Sequence, residues 1–323
     1  MKYTYHVAGY RVQISVAIAI VCGLALGVTL ANPPQTTAQT AYNNFLPTLM
    51  LTRPIAFESN RDGNYYHDLY LMDADGSNVV RISGPDSVIC PTWSPDGRRL
   101  AYLSLLSHDL FLIDPDGTDL TQLTTGSRLE SCPAWSPDGK YIVFSATDWV
   151  TSGLYVIQPG QPEEIDLISS SAPDDYWYPQ WSPDGQRLTF TTDRGGNIDI
   201  YISDVITISG SIQLSGELVR LTDDPWDDSS ASWSPDGSRL VFTSGRDGDL
   251  EIWTMRTDGT DATQITNNNV SDSSPTWSPD GTRILFTTDR DGSVEVYVMN
   301  MDGSNQTNLT NDPFWDGGAA WLR

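Results

Sequence analysis

PTWSPDGRRLAYLS, residues 91–104, reads as the end of one strand, a tight turn and the start of the next, and most of it recurs four more times. In Trp-Ser-Pro-Asp-Gly the proline presets φ, the aspartate bonds its own backbone and the glycine accepts φ > 0, so the segment reverses the chain. Trp93, Trp135, Trp181, Trp233, Trp277 and Trp321 mark six copies of one position, 42 to 52 residues apart. A period of about 40–50 residues with four strands per unit is that of propeller blades.

Each of the first five tryptophans is followed by Ser-Pro-Asp-Gly and then a strand: LAYLS (100–104), IVFSA (142–146), LTFTT (188–192), LVFTS (240–244) and ILFTT (284–288). IAFES (55–59) is a sixth copy with no tryptophan before it. A further strand follows in every unit (DLYLM, DLFLI, GLYVI, DIYIS, EIWTM, EVYVM), with the alternation of half-buried β structure. A last one ends in RIS, QLT, LIS, RLT, QIT or NLT. Asp-Gly pairs such as Asp75-Gly76 and Asp116-Gly117 join these two as hairpins. With strands lettered a to d, the domain starts at b of blade 1 and the chain stops two residues after Trp321, the sixth a. The C-terminal strand therefore completes blade 1, closing the ring and removing an exposed sheet edge. The fold read from the sequence is all-β: a single six-bladed β-propeller of four-stranded blades over residues 55–323, closed three-plus-one.

The repeated pattern PxWSPDGxxIxFxS…DIYxM…DG…xLT resembles that of TolB-like β-propellers, which are related in pattern to WD-repeat propellers. The resemblance covers roughly residues 55–323. In TolB an α/β domain precedes a six-bladed propeller that serves the Tol–Pal envelope system. The 23 residues before this propeller are too short to hold that domain, so the expectation is a TolB-like propeller and not TolB itself. Fold resemblance underdetermines function, because propellers bind proteins, bind sugars or carry catalysis.

Outside the repeats, residues 14–31, ISVAIAIVCGLALGVTLA, form an uncharged apolar run behind Lys2 and Arg11, as in an export signal. Residues 1–31 are expected to be a signal peptide cut after Ala31, or an N-terminal hydrophobic helix kept as an anchor. Residues 32–54 read as a linker. Either way the propeller is expected to be extracytoplasmic: periplasmic, cell-surface or secreted. The chain carries 42 acidic and 18 basic residues, a net charge of −24, which repels a phosphate backbone and argues against nucleic acid as a partner.

Catalytic chemistry finds little support. There is no G-x-S-x-G elbow and no stretch left for a hydrolase domain. Of three histidines, His67 and His108 share one repeat position just before the c strand, which reads as repeat drift. Asp73-x-Asp75-Gly76 and Asp114-x-Asp116-Gly117 lack the later Glu of a calcium loop and read as turns.

Acids recur five or six residues before the repeat tryptophans: Glu130, Asp175, Asp228, Asp272 and Asp316, with Val88 the exception. The b–c turns carry Arg61, Arg194, Arg246 and Arg290 in blades 1, 4, 5 and 6, the blades whose a strands bring Asp316, Asp175, Asp228 and Asp272. Ion pairs tying loops are the favoured reading. Against it stands a cation ring, with Glu130, Asp228, Asp272 and Asp316 as ligands and calcium as the ion; otherwise no cofactor is expected. On the same d–a/b–c face lie Tyr176, Trp177, Tyr178, Trp226, Asp227, Phe314 and Trp315, aromatics beside carboxylates that suit a partner with apolar and cationic groups. Packing between blades is the alternative for these rings. Cys90 and Cys132 share one position, three residues before Trp93 and Trp135, so they face each other across adjacent inner strands. A disulfide requires their Cα atoms to lie within about 7 Å.

The function expected is a non-enzymatic, monomeric interaction module for an envelope protein or peptide, bound through the d–a/b–c face. The alternative is a carbohydrate-binding or carbohydrate-processing propeller.

Overall fold

The computed structural model describes residues 2–7, 10–15 and 54–322, the last apart from positions 64, 84–86, 149, 162–163, 171–173 and 209–210. The first two segments form a unit of their own, an antiparallel hairpin pairing Lys2–Val7 with Tyr10–Ser15. Apart from Ile14 and Ser15 at its start, the apolar run lies outside the described residues, as does most of the linker. Among the described residues no helix is long and apolar enough to cross a membrane.

From Ile55 onward six antiparallel sheets of four strands follow one another. The closure is as the repeat demands. The a strand of blade 1, Asp316–Trp321, pairs with its b strand, Ile55–Ser59, and Leu322 N donates to Pro54 O at 2.6 Å. The remaining a strands are Val88–Trp93, Tyr176–Trp181, Asp228–Trp233 and Asp272–Trp277; blade 3 has its a strand in two pieces, Leu129–Glu130 and Ala134–Trp135, both paired with Ile142–Thr147. The d strand is only two residues long in blades 1, 2, 5 and 6. Blade 4 differs: Asp199–Ile208 and Ser211–Arg220 pair as two ten-residue strands, which absorb the extra residues between Trp181 and Trp233.

The repeated letters each have a bond to make. In the a–b turn Ser94 Oγ donates to Asp96 Oδ1 (2.7 Å) and accepts from Arg99 N (2.9 Å), and the same pair of bonds forms at Ser136, Ser182, Ser234 and Ser278. In blades 1, 2, 4, 5 and 6 the Ser or Thr two residues past the d strand accepts the amide of the adjacent c strand, as Ser83 from Leu69 N (2.8 Å) and Thr266 from Ile252 N (2.8 Å). These local bonds fix the strand ends, while the b and c strands bury their apolar residues between sheets.

Each repeat tryptophan packs on the b strand of the preceding blade: Trp93 with Ala56, Trp135 with Ala101, Trp181 with Val143, Trp277 with Val241 and Trp321 with Leu285. This is the inter-blade filling that the turn motif implied. Burying a side chain of this size is worth on the order of 3 kcal/mol, and six such joints hold the ring.

Candidate functional site

At the d–a/b–c mouth three of the four expected ion pairs form. Arg61 Nη2 reaches Asp316 at 3.0 Å and Asp312 at 3.1 Å; Arg246 Nη2 reaches Asp228 at 2.9 Å and Asp224 at 2.8 Å; Arg290 Nη2 reaches Asp272 at 2.9 Å. Each guanidinium also donates through Nε to the hydroxyl that ends its own b strand, Ser59, Ser244 or Thr288. It lies over two rings of its blade, for Arg290 at 4.9 Å from Tyr297 and 5.4 Å from Phe286. The arginine is thus a pin between the a strand, the b strand and the aromatic core of one blade.

Blade 4 breaks the pattern. Its acid, Asp175, stands one residue early, and Tyr176 occupies the position of Asp228 and Asp272. Arg194 makes no ion pair among the described residues and sits 5.9 Å over Tyr201. The blade takes its charge pair elsewhere, between Arg220 and Asp199 at 2.5 Å. In blade 3 Arg128 lies 4.4 Å over Tyr155 and bonds Glu164 at 2.8 Å, and Glu130 has no cation paired with it among the described residues. Glu130 Oε2 instead accepts Thr124 Oγ1 (2.6 Å) and Leu110 N (3.1 Å), and burial pushes its carboxyl up to about 8. Burial likewise raises Asp228 and Asp316 to about 6, against the pull of their Ser and Arg partners.

A second set of buried acids was in plain view in the sequence as the first letter of the c strands: Asp68, Asp109, Asp199, Glu251 and Glu295. These bind the end of their own blade, as Glu251 does through Asn268 N (2.5 Å) and Asp109 through Gln122 Nε2 (2.8 Å). Read singly, a charge opening a β strand looks solvated; its repetition was the signal. Two groups bring carboxylate oxygens within 4.8 Å of one another: Asp247, Asp249 and Glu251, and Glu295, Asp312 and Asp316. In the second, Arg61 already stands between Asp312 and Asp316, and Glu295 accepts Ser293 Oγ, Thr310 Oγ1 and Asp312 N. The four acids named as cation ligands are each held by protein donors.

The aromatic residues assigned to this face separate. Trp226 is 49% exposed and Phe314 37%, and Asp227 beside Trp226 is exposed too. Tyr176 is buried against Phe190, ring centroids 5.9 Å apart, and belongs to the core. Trp177 is half-buried. Trp315 stacks on His67 at 4.3 Å with the planes 7° apart, and its amide donates to Asn60 Oδ1. Sequence reading missed Tyr65 and Tyr66, exposed in the b–c loop of blade 1 and packed edge to face. Blade 1 shares the RDG turn of blades 5 and 6, but four residues, Asn64 to His67, separate it from the acid of the c strand where those blades have two, which was the available clue.

Tyr178 turns out to face the channel. In five a strands a register shift three residues before the tryptophan forms a β-bulge, and its residue takes positive φ: Cys90 (53°), Tyr178 (49°), Ser230 (55°), Ser274 (53°) and Gly318 (56°). Bulges re-aim side chains, and here they aim them at the axis. Together with Cys132 these residues form the waist of the channel. Cys90 and Cys132 have Cα atoms 5.2 Å apart and are joined as a disulfide. Gly318 has no alternative: a Cβ there would collide with Glu58 Oε1. Glu58, on the b strand of blade 1, is buried, which raises its carboxyl above the usual range; it also meets Cys90 N and His67 Nδ1 (3.4 Å). From the waist to the WSPDG turns the channel widens into a cavity of about 400 Å³, rimmed by Pro95, Pro137, Pro183, Pro235 and Pro279.

The sequence matches the TolB β-propeller domain family over residues 49–217 and 215–321. This chain belongs to the TolB-type β-propellers. An uncharacterized protein of Agrobacterium fabrum is 30% identical over 189 residues, 57% of this chain, and the chain spans 60% of that relative's length. TolB from Acinetobacter baumannii superposes on this TolB-type propeller with a TM-score of 0.71 at 22% identity, covering 90% of this chain and 74% of that one. Oligogalacturonate lyase from Vibrio parahaemolyticus shares the fold at a TM-score of 0.54 and 15% identity, over 78% of this chain and 73% of that one. The fold is shared with a lyase as well as with TolB, so it does not by itself decide function, and the choice rests on the site.

Proposed function

We propose that this TolB-type propeller is a non-enzymatic, extracytoplasmic interaction module that grips an envelope protein or peptide by its d–a/b–c mouth. One observation carries the reading. All four exposed aromatic side chains among the described residues, Tyr65, Tyr66, Trp226 and Phe314, stand on loops of that mouth. Leu106 and Val150, exposed on the b–c loops of blades 2 and 3, extend the apolar surface. Exposed large rings on rigid loops are what anchors of protein interfaces are made of, and the Arg–Asp pins beneath hold those loops still. Acids around them, Asp223 and Asp227 beside Trp226, favour a partner that brings cationic groups. The repeated geometry of the pins serves scaffold and not chemistry: the arginines are engaged on buried carboxylates, and His67 is held between Glu58 and Trp315.

The test is retention of envelope proteins by the immobilised full chain, compared with the Trp226→Ala/Phe314→Ala double variant and with a glycan array. Loss of a specific retained protein in the variant, with an unchanged thermal melt, supports the reading. Equal retention by both proteins, or array binding that disappears in the variant, overturns it.

A further inference from the structure

The cavity on the WSPDG side of the channel is a different environment from the rest of the molecule. In a protein of net charge −24, no Asp, Glu, Lys, Arg or His side chain lines it among the described residues. Its wall is divided. Blades 4, 5 and 6 supply Tyr178, Gln180, Ser230, Ser232, Ser274 and Thr276, an arc of hydroxyls and one amide. Blades 1 to 3 supply Ala319, Ala320, Pro91, Pro133, Ala134 and the Cys90–Cys132 disulfide, an apolar arc interrupted by the single hydroxyl of Thr92. Gln180, Ser230, Ser274 and Thr276 have no side-chain hydrogen bond to protein among the described residues, so their donors and acceptors are open to a ligand. Each a strand pairs with b on one edge only, and its other edge turns backbone polar groups to the channel. The waist side chains are held there by positive φ in the bulges, a conformation that L-residues adopt at some cost and that sites commonly retain.

We propose that this cavity is a binding site for a neutral pyranose sugar. A pyranose has an apolar C–H face and a rim of hydroxyls, matching a pocket with one apolar and one hydroxyl-bearing arc. Its volume, about 400 Å³, lies in the lower part of the range of small-molecule sites, about 300–1,000 Å³. Charged sugars are excluded. A uronate meets the field of the whole acidic protein, and either sign of charge loses its hydration in a wall that offers no counter-ion. The site lies at the end of the channel opposite the exposed aromatics and does not depend on what that mouth binds.

Saturation-transfer NMR on the full chain, titrated with methyl β-glucoside, methyl β-galactoside and N-acetylglucosamine, tests this, with glucuronate and protonated glucosamine as charged counterparts. At least one neutral sugar binds saturably, and each charged one binds at least about tenfold more weakly. Ser274→Tyr blocks the waist with the residue that blade 4 already carries at the same bulge, so it folds, and it abolishes the signal. Gln180→Ala weakens binding at least about threefold, and Trp226→Ala leaves it unchanged. Absence of saturable binding by all three neutral sugars, equal binding of a charged one, or persistence of binding in folded Ser274→Tyr overturns the proposal.

Discussion

Trp233 Nε1 donates to Thr189 Oγ1 at 3.0 Å, across the joint between blades 5 and 4. The other five repeat tryptophans bury the same nitrogen with no acceptor among the described residues, because Ala56, Ala101, Val143, Val241 and Leu285 occupy the position of Thr189. Thr189 in turn donates to Gln180 O, its partner in the a–b register; Val241 stands in that same register against Ser232. A hydroxyl at position 241 would therefore find both an acceptor and a donor. Val241→Thr, an exchange that normally destabilises a core, is expected to be neutral or to stabilise by up to about 1 kcal/mol. Thr189→Val, which orphans Trp233 Nε1, should cost about 1–3 kcal/mol. Urea unfolding of both variants decides the matter, and equal destabilisation would count against the pairing.

The arginine pins separate blade 6 from blade 4. Asp272 is fully buried under Arg290, whereas Asp175 and Arg194 stand apart. Removing one member of a buried pair costs about 3–5 kcal/mol, since it leaves the other charge uncompensated. A double-mutant cycle on Asp272 and Arg290 is expected to give a coupling above about 1 kcal/mol. The same cycle on Asp175 and Arg194 should give a coupling within error of zero. Equal couplings would mean that the register argument for blade 4 is wrong.

Much of this was legible from sequence, because a repeat turns weak local signals into strong ones. Trp-Ser-Pro-Asp-Gly located the a–b turns, the b and c strands came from alternation, and the unattached IAFES foretold closure by Asp316–Trp321. Three of four Arg–acid pairs followed from counting, and the fourth failed because a shift of one residue in a strand turns the side chain to the other face. The bulge at Cys90, Tyr178, Ser230 and Ser274 was not legible. Nothing in those residue types demands positive φ, and only Gly318 marked it. Tyr178 was consequently placed on the d–a/b–c loop face when it lines the channel.

Glu130 gives stability a pH dependence. Its carboxyl is buried and raised to about 8 in the folded chain, against 4.5 in its ordinary state. The folded state thus prefers the protonated form. That stabilisation is complete below about pH 4.5, declines as pH rises, and is lost once pH passes about 8. Asp228 and Asp316, raised to about 6, add a decline that ends earlier. The gain from Glu130→Gln, which keeps an acceptor for Thr124 and Leu110 N, should be larger at pH 8.5 than at pH 5.5 by at least about 1 kcal/mol. Unfolding curves at the two pH values measure it, and a gain independent of pH would contradict the assignment.

Trp315 and Trp226, alike in sequence as off-register tryptophans, should behave differently. Trp226 is half exposed, and truncating it to alanine is expected to change stability by less than about 0.5 kcal/mol. Trp315 covers His67, and its ring occupies the space a Cβ on Gly317 would need, so its loss should cost about 1–2 kcal/mol. Trp277, buried between blades 5 and 6, should cost about 3–5 kcal/mol. Thermal melts of the three variants give the order, and a Trp226→Ala loss as large as that of Trp277→Ala would place the ring in the core.

The Cys90–Cys132 bridge joins blades 2 and 3, neither of which has an arginine pin from its b–c turn, and it does so at the waist of the channel. Closing a segment with a separation of 42 residues removes chain entropy worth roughly 4 kcal/mol in the loop-closure model. The bond is therefore expected to substitute for the missing ties, and blades 2 and 3 should open first when it is reduced. Both cysteines line the cavity and are half-buried, so a small thiol can reach them through the WSPDG mouth without unfolding the ring. Intact mass after alkylation, with and without dithiothreitol, should show one bridge in protein made in an oxidising compartment. Hydrogen exchange on the reduced form should rise in residues 88–157 before it rises in blades 5 and 6. Free thiols in the unreduced protein would remove the tie, and uniform exchange after reduction would show that the bridge carries no local stability.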